Sequence, residues 1–82
     1  MFVYKTKGVC STEIHLDIEN NIIKKVDFIR GCEGNLLGIS VLVSGMNVDD
    51  AIIKLKGIDC KNRGTSCPDQ LSKALEEYKL TA

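Results

Sequence analysis

The chain has few of the residues that mark a nucleic-acid-binding protein. Among its 82 residues are no tryptophan, two tyrosines, two phenylalanines, one histidine and one proline, and eleven basic residues balance eleven acidic ones. Binding to DNA or RNA relies on a basic surface and, for single strands, on aromatic side chains that stack with bases. The composition therefore excludes nucleic acid as the expected partner.

No segment has the length of a membrane span or the pattern of a secretory leader. The longest apolar stretch, Leu36 to Val43, is interrupted by Gly38 and Ser40, whereas a span needs about 20 apolar residues. Residues 1–7 lack a continuous apolar stretch and a small-residue cleavage site. We therefore expect a cytoplasmic protein without membrane contact. In that reducing compartment, cysteines serve as metal ligands or redox thiols more often than as disulfides.

Alternating apolar and polar residues predict an antiparallel hairpin early in the chain. The alternation is clear from Glu13 to Glu19, which is typical of a half-buried strand. Asn20-Asn21 tolerates the positive φ angles of a tight turn, and Ile22 to Ile29 is predicted to be the returning strand. Residues 2–6 are predicted to add a short first strand.

Three helices are predicted after the hairpin, within a single domain over residues 1–82. Residues 35–44 are apolar on most sides, which favours a buried helix over the competing strand. A second helix is predicted from the N-cap Asn47 to Gly57, and a third from Pro68 to Leu80. Strands followed by helices predict an α+β fold, with an antiparallel sheet of about three strands and three helices packed on one face.

Four cysteines carry most of the chemistry in this chain. Cys10 precedes the hairpin, Cys32 follows it, Cys60 lies in the predicted loop 58–66, and Cys67 stands at the predicted start of the last helix. Free N–H groups and a partial positive charge at a helix start favour a thiolate. We predict that the four sulfurs meet at one end of the sheet and bind zinc or an iron–sulfur cluster.

Other interpretations of the cysteines and their neighbours stay open. No Cys-x-x-Cys pair, which would indicate a zinc site more specifically, is present. One alternative is redox exchange, with Cys60 and Cys67 as the exchanging pair. Another is that some of the cysteines are buried as small apolar groups. Gly31, Gly34 and Asn35 could instead bind a nucleotide or flavin at a helix start. Their spacing is not that of a dinucleotide fingerprint, and room for a tight turn is the simpler explanation.

The run TSCPDQL at residues 65–71 resembles the TSCPD domain family, which takes its name from that run. Residues 31–35 and 57–60 resemble other motifs of the family, so the similarity covers nearly the whole chain. Members are small four-cysteine proteins or domains near the C-terminus of adenosylcobalamin-dependent (class II) ribonucleotide reductases. The resemblance implies a module accessory to ribonucleotide reduction, with a reductase or a redox protein as partner. The chain is far too short to be that enzyme by itself.

A more distant similarity is to the IscU/NifU-type iron–sulfur scaffold. Cys10, Cys32 and Cys67 stand where that family has its three ligand cysteines, in the same order of strands and helices. Residues 11–12 are Ser-Thr where the scaffold has Gly-Asp, Ser66 stands where it often has histidine, and a fourth cysteine is additional. The resemblance implies an IscU-like architecture and a site lined by sulfur.

Overall fold

The structure is a computed structural model that describes residues 2–9, 11–30, 33–58 and 64–81, with the backbone alone for residues 33–35. Within these ranges the chain forms three strands and then three helices: β1 Phe2–Lys5, β2 Glu13–Glu19, β3 Ile22–Ile29, α1 Glu33–Val43, α2 Val48–Leu55 and α3 Cys67–Thr81. The predicted α+β fold is confirmed, and each predicted element is present with its ends near the expected residues.

The strands form an antiparallel sheet in the order β1-β2-β3. Asn20 and Asn21 have φ angles of 53° and 63°, the left-handed values that a two-residue hairpin turn requires at both central positions. Asparagine tolerates this conformation better than most residues because its short polar side chain bonds locally. The hairpin predicted from the alternation and the Asn-Asn pair is therefore confirmed.

The segment between α1 and α2 covers the start of the outer edge of β3, at Ile22 and Ile23. The N–H of Ile23 donates to the carbonyl of Met46 at 2.9 Å, and the N–H of Gly45 donates to the carbonyl of Ile23 at 2.7 Å. Ile22 and Asn47 form an antiparallel bridge beyond them. These bonds satisfy backbone groups that an edge strand would otherwise leave unpaired.

The core lies between one face of the sheet and the helices. Alternate residues of β2 and β3 meet the apolar sides of α2 and α3 there, and the cluster consists of Ile14, Leu16, Ile23, Val26, Val43, Val48, Ala51, Leu71, Ala74 and Leu75. The three members from α3 follow helical spacing, so one side of α3 is buried. This packing holds the buried side of α3 against the sheet.

The prediction that α1 is buried on most sides is wrong. Leu36 and Val43 are buried, but Leu37, Val41 and Leu42 are 66%, 67% and 76% exposed. The reason is the position of the helix: α1 packs chiefly against β3 at the margin of the sheet, which covers a single side of the helix.

The helices in the described part of the chain all fall short of the length and apolar character that a membrane span requires.

Candidate functional site

Of the four predicted sulfur ligands, the structure describes Cys67. It is the first residue of α3, it is half-buried, and its thiol is free of any disulfide. The prediction that this cysteine opens the last helix is confirmed, with Pro68 in the first turn, where a missing N–H is tolerated. Cys10, Cys32 and Cys60 lie outside the described residues.

Ser11 brings the start of the hairpin against the thiol. It is 2% exposed, and its Oγ lies 3.6 Å from the Sγ of Cys67, within the range of a hydrogen bond to sulfur. The hydroxyl of Thr6 donates to the carbonyl of Ser11, which fixes the backbone at this point. Because Ser11 directly follows Cys10 in the sequence, the contact joins the N-terminal cysteine segment to α3.

The two ends of the hairpin lie side by side next to this contact. Both the N–H and the hydroxyl of Thr12 donate to the carbonyl of Ile29, at 2.8 and 3.2 Å. The next residue, Arg30, has a φ of 64°, a left-handed conformation that is uncommon outside glycine. The segments that follow Cys10 and precede Cys32 are thus held together by direct hydrogen bonds.

Asp69 is a buried carboxylate in the first turn of α3. It is 4% exposed, and its two oxygens accept from different segments: Oδ1 from the backbone N–H of Gly57 at 2.8 Å, and Oδ2 from the hydroxyl of Thr65 at 2.7 Å. The Nζ of Lys73, one turn later, lies 3.4 Å from Oδ2. Asp69 therefore ties the loop after α2 to the start of α3, beyond any interaction with the helix dipole.

Ser66 caps α3 and binds the same loop. Its Oγ accepts from the N–H of Asp69 at 3.1 Å and donates to the carbonyl of Ile58 at 2.5 Å, while its carbonyl accepts the N–H of Gln70 at 2.8 Å. A serine at this position satisfies N–H groups that a helix start leaves free. The loop that leads from Ile58 toward Cys60 is thereby anchored beside Cys67.

Gln70 extends the network to the loop between β1 and β2. Its Nε2 donates to the hydroxyl of Thr65 at 2.9 Å, and its Oε1 accepts from the backbone N–H of Lys7 at 3.0 Å. Gly8, with a φ of 73°, packs so closely that an added Cβ would lie 3.3 Å from the Thr65 Cγ2. Gln70 therefore fixes the segment that leads toward Cys10.

The ionisation of Asp69 reflects these contacts. Burial raises the pKa of the Asp69 carboxyl, but the hydrogen bonds from Thr65 and Gly57 and the ammonium of Lys73 outweigh burial and hold the pKa below its ordinary value of 3.8. A pKa lowered by folding means that the ionised form stabilises the native state. The network thus requires Asp69 as a carboxylate.

Asp69 is therefore expected to make the protein sensitive to acid. Because its folded-state pKa lies below 3.8, its stabilisation is complete above that ordinary value and is lost as the pH falls through the lowered one. We expect the free energy of unfolding to decline as the pH falls below about 4, and more steeply in the wild type than in Asp69→Asn. Urea denaturation at a series of pH values measures this. Asp27→Asn, an exposed carboxylate on β3, controls for the loss of one charge, and parallel wild-type and Asp69→Asn profiles would contradict the assignment.

The other predicted site residues are only partly described. Gly31 lies outside the described residues, and Gly34 and Asn35 belong to the first turns of α1, as backbone. A cleft of about 300 Å³ runs between β3 and α1, with Phe28, Arg30 and Leu36 among its lining residues. The nucleotide or flavin site stays a prediction.

In the described part of the chain, no group of three or more His, Cys, Asp or Glu side chains is arranged so that it could hold a metal ion. Three of the four predicted sulfur ligands lie outside that part. The four-cysteine site, its zinc or iron–sulfur occupant and its partners therefore stay predictions. The roles of Ser11, Thr65 and Gly57 were not predicted from the sequence. The signal available for them was their position within or beside the cysteine motifs.

The chain matches the model of a known protein family. A family model described as the TSCPD domain matches residues 2–79, a range that includes the run at residues 65–71. No curated protein and no solved structure matches the chain. The likeness to IscU-type scaffolds therefore stays a prediction.

Proposed function

We propose that this chain, which belongs to the TSCPD domain family across residues 2–79, is a small metal-binding module with a thiolate site. The proposed ligands are Cys10, Cys32, Cys60 and Cys67, and the bound group is zinc or an iron–sulfur cluster. Thiolate sulfur is the donor that both groups prefer. The proposal includes a cytoplasmic location, where a reducing environment keeps the thiols available.

The observation that supports the site most directly is the 3.6 Å approach of the Ser11 Oγ to the Cys67 Sγ. Consecutive Cα atoms lie about 3.8 Å apart, so the covalent bond between Cys10 and Ser11 supports Cys10 as a second ligand beside Cys67. Cys32 is likewise close in sequence to a residue that is hydrogen-bonded to this region. The carbonyl of Ile29 accepts from Thr12, and Cys32 is three residues beyond Ile29 in the sequence.

The residues on either side of the segment that contains Cys60 are joined to each other next to Cys67. Ile58, two residues before Cys60, accepts a hydrogen bond from Ser66, the residue before Cys67. Two residues of extended chain span at most about 7 Å. A fourth thiolate ligand from this loop is therefore compatible with the described anchors.

A metal held by four thiolates would have a structural role. Zinc in such a closed site has no open coordination position for a substrate, and structural zinc contributes apparent binding free energies of about 10–16 kcal/mol. A domain of 82 residues gains roughly 3–5 kcal/mol from its core alone. Metal binding would therefore dominate the stability of the fold.

Redox exchange is the second candidate function. Cys67 is a half-buried free thiol, which leaves its sulfur accessible to a partner thiol, and Cys60 would be the exchanging residue. In this case one disulfide of the partner is reduced to two thiols while Cys60 and Cys67 are oxidised to a disulfide. The family resemblance suggests a ribonucleotide reductase or another redox protein as that partner.

Metal analysis of untagged, anaerobically prepared protein tests the proposal. We expect one zinc ion per chain, or visible charge-transfer absorption that indicates an iron–sulfur cluster. Metal-free protein that does not take up Co²⁺ would contradict the proposal. If the metal-free protein forms a disulfide between Cys60 and Cys67 under mild oxidation, the redox function replaces the metal-binding function. If it releases a nucleotide or flavin on denaturation, a binding site at the glycine-rich turn of residues 31–35 is favoured instead.

A further inference from the structure

The buried hydrogen bonds at the start of α3 reach two loops that lead to predicted ligands. We propose that Thr65 and Asp69 are positioning residues, which hold these loops at the spacing from Cys67 that metal binding requires. Neither residue is a ligand in this proposal. The inference rests on the proposed metal site and assigns the function of two residues of the TSCPD run.

Asp69 connects the start of α3 to the loop after α2. Asp69 accepts from the N–H of Gly57 through one oxygen and from Thr65 through the other. Gly57 is three residues before Cys60 in the sequence. Because both carboxylate oxygens already accept hydrogen bonds from protein groups, Asp69 serves the frame of the site and not the metal itself.

Thr65 and Gln70 connect the start of α3 to the loop between β1 and β2. The hydroxyl of Thr65 donates to Asp69 and accepts from Gln70, and Gln70 in turn accepts from the N–H of Lys7. Lys7 is three residues before Cys10 in the sequence. Thr65 is thus the junction of a continuous series of hydrogen bonds that links both loops to the turn containing Cys67.

The burial of these groups makes the positioning strict. Thr65, Asp69 and Gln70 are 9%, 4% and 3% exposed, and no buried side-chain nitrogen or oxygen in the described residues lacks a hydrogen-bond partner. In such a network, removing one member leaves its partners unsatisfied in a low-dielectric environment. The partners then move toward water, and the loops that carry them shift relative to Cys67.

Matched substitutions separate positioning from general stability. Thr65→Val removes the hydroxyl at nearly constant shape, and Thr65→Ser retains it. Asp69→Asn replaces one acceptor oxygen by a donor. Asp49→Asn is the control, because Asp49 also accepts from two side chains, Asn21 and Lys79. Lys79 is twelve residues beyond Cys67 on α3, about 18 Å along the helix.

Titration with Co²⁺ against a competing chelator measures the metal affinity of each variant, at a temperature where circular dichroism shows the metal-free protein to be folded. We expect Thr65→Val and Asp69→Asn to bind Co²⁺ about 10- to 100-fold more weakly, the usual effect of losing a group that orients a metal ligand. Thr65→Ser and Asp49→Asn should retain wild-type affinity. Hydrogen exchange at the Gly57 amide should accelerate in Asp69→Asn and not in Asp49→Asn.

A further variant keeps the test valid if these substitutions prevent folding. Gln70→Met has nearly the same length and adds no charge; it removes the hydrogen bonds to Lys7 and Thr65 and leaves those from Gly57 and Thr65 to Asp69 in place. The same weakening is expected. Folded variants with wild-type Co²⁺ affinity would overturn this inference while leaving the metal site intact. A wild-type protein that binds no Co²⁺ would overturn the proposed function, and this inference with it.

Discussion

Replacing Cys67 by serine is expected to lower the affinity for zinc and Co²⁺ by more than about 100-fold, since losing a direct ligand costs more than the 10- to 100-fold typical of a supporting residue. The hydroxyl of serine has nearly the shape of the thiol but is a poor donor for these metals compared with thiolate. The thiol-to-Co²⁺ charge-transfer absorption should fall in parallel. A chelator-competition titration of wild type and Cys67→Ser measures both quantities.

The metal-free form of the same variant is the control. Cys67 is half-buried and faces the Ser11 hydroxyl, and a serine at this position can keep that contact. Metal-free Cys67→Ser should therefore unfold at nearly the urea concentration of the metal-free wild type. Unchanged Co²⁺ affinity would exclude Cys67 as a ligand, whereas loss of disulfide exchange in a protein that binds no metal would support the redox candidate.

Leu75→Ala is expected to unfold most of the metal-free protein at 25 °C. Leu75 is fully buried in the core cluster, and truncating a buried leucine costs about 2–5 kcal/mol through lost contacts and the cavity left behind. The core of so small a domain supplies roughly 3–5 kcal/mol in total. Urea denaturation followed by far-UV circular dichroism, in the presence of a chelator, measures the change.

The same helix provides the matched control for this prediction. Leu80 is 86% exposed near the end of α3, so Leu80→Ala makes the identical chemical change without opening a cavity. Its free energy of unfolding should stay within about 0.5 kcal/mol of the wild-type value. Equal denaturation midpoints for Leu75→Ala and Leu80→Ala would show that Leu75 is not part of a packed core.

The hairpin could be predicted from the sequence because its determinants are local. The residues that alternate on β2 and the two asparagines of the turn lie within a few positions of one another. Their burial and φ angles agree with the expectation. A one-residue change of register would have moved every apolar side chain to the solvent face, so the pattern itself restricts the pairing.

The exposure of α1 could not be predicted in this way. Its sequence is apolar on nearly every side, and an all-round apolar helix normally indicates burial. Which side is covered depends on where the helix meets the sheet, and α1 meets it at β3. The exposed residues Leu37, Val41 and Leu42 carry no local signal that distinguishes them from Leu36.

The candidate site was predictable only in part for the same reason. The proline after Cys67 marks a helix start locally, and that prediction is confirmed. The contact with Ser11 joins residues 56 positions apart, and the hydrogen bond from Lys7 to Gln70 joins residues 63 positions apart. Such contacts depend on the tertiary packing of α3 against the hairpin, which no short motif encodes.

The partly covered edge of β3 has a consequence for how this protein could aggregate. Lateral extension of the sheet by a strand from another molecule is blocked where residues 45–48 already occupy the backbone groups of β3. The opposite rim is β1, whose sequence FVYK is rich in β-forming residues and has a single charge, Lys5. A strand from another molecule could therefore pair with β1, and we expect a charged substitution at the exposed Val3 to disfavour that pairing and to raise the usable protein concentration.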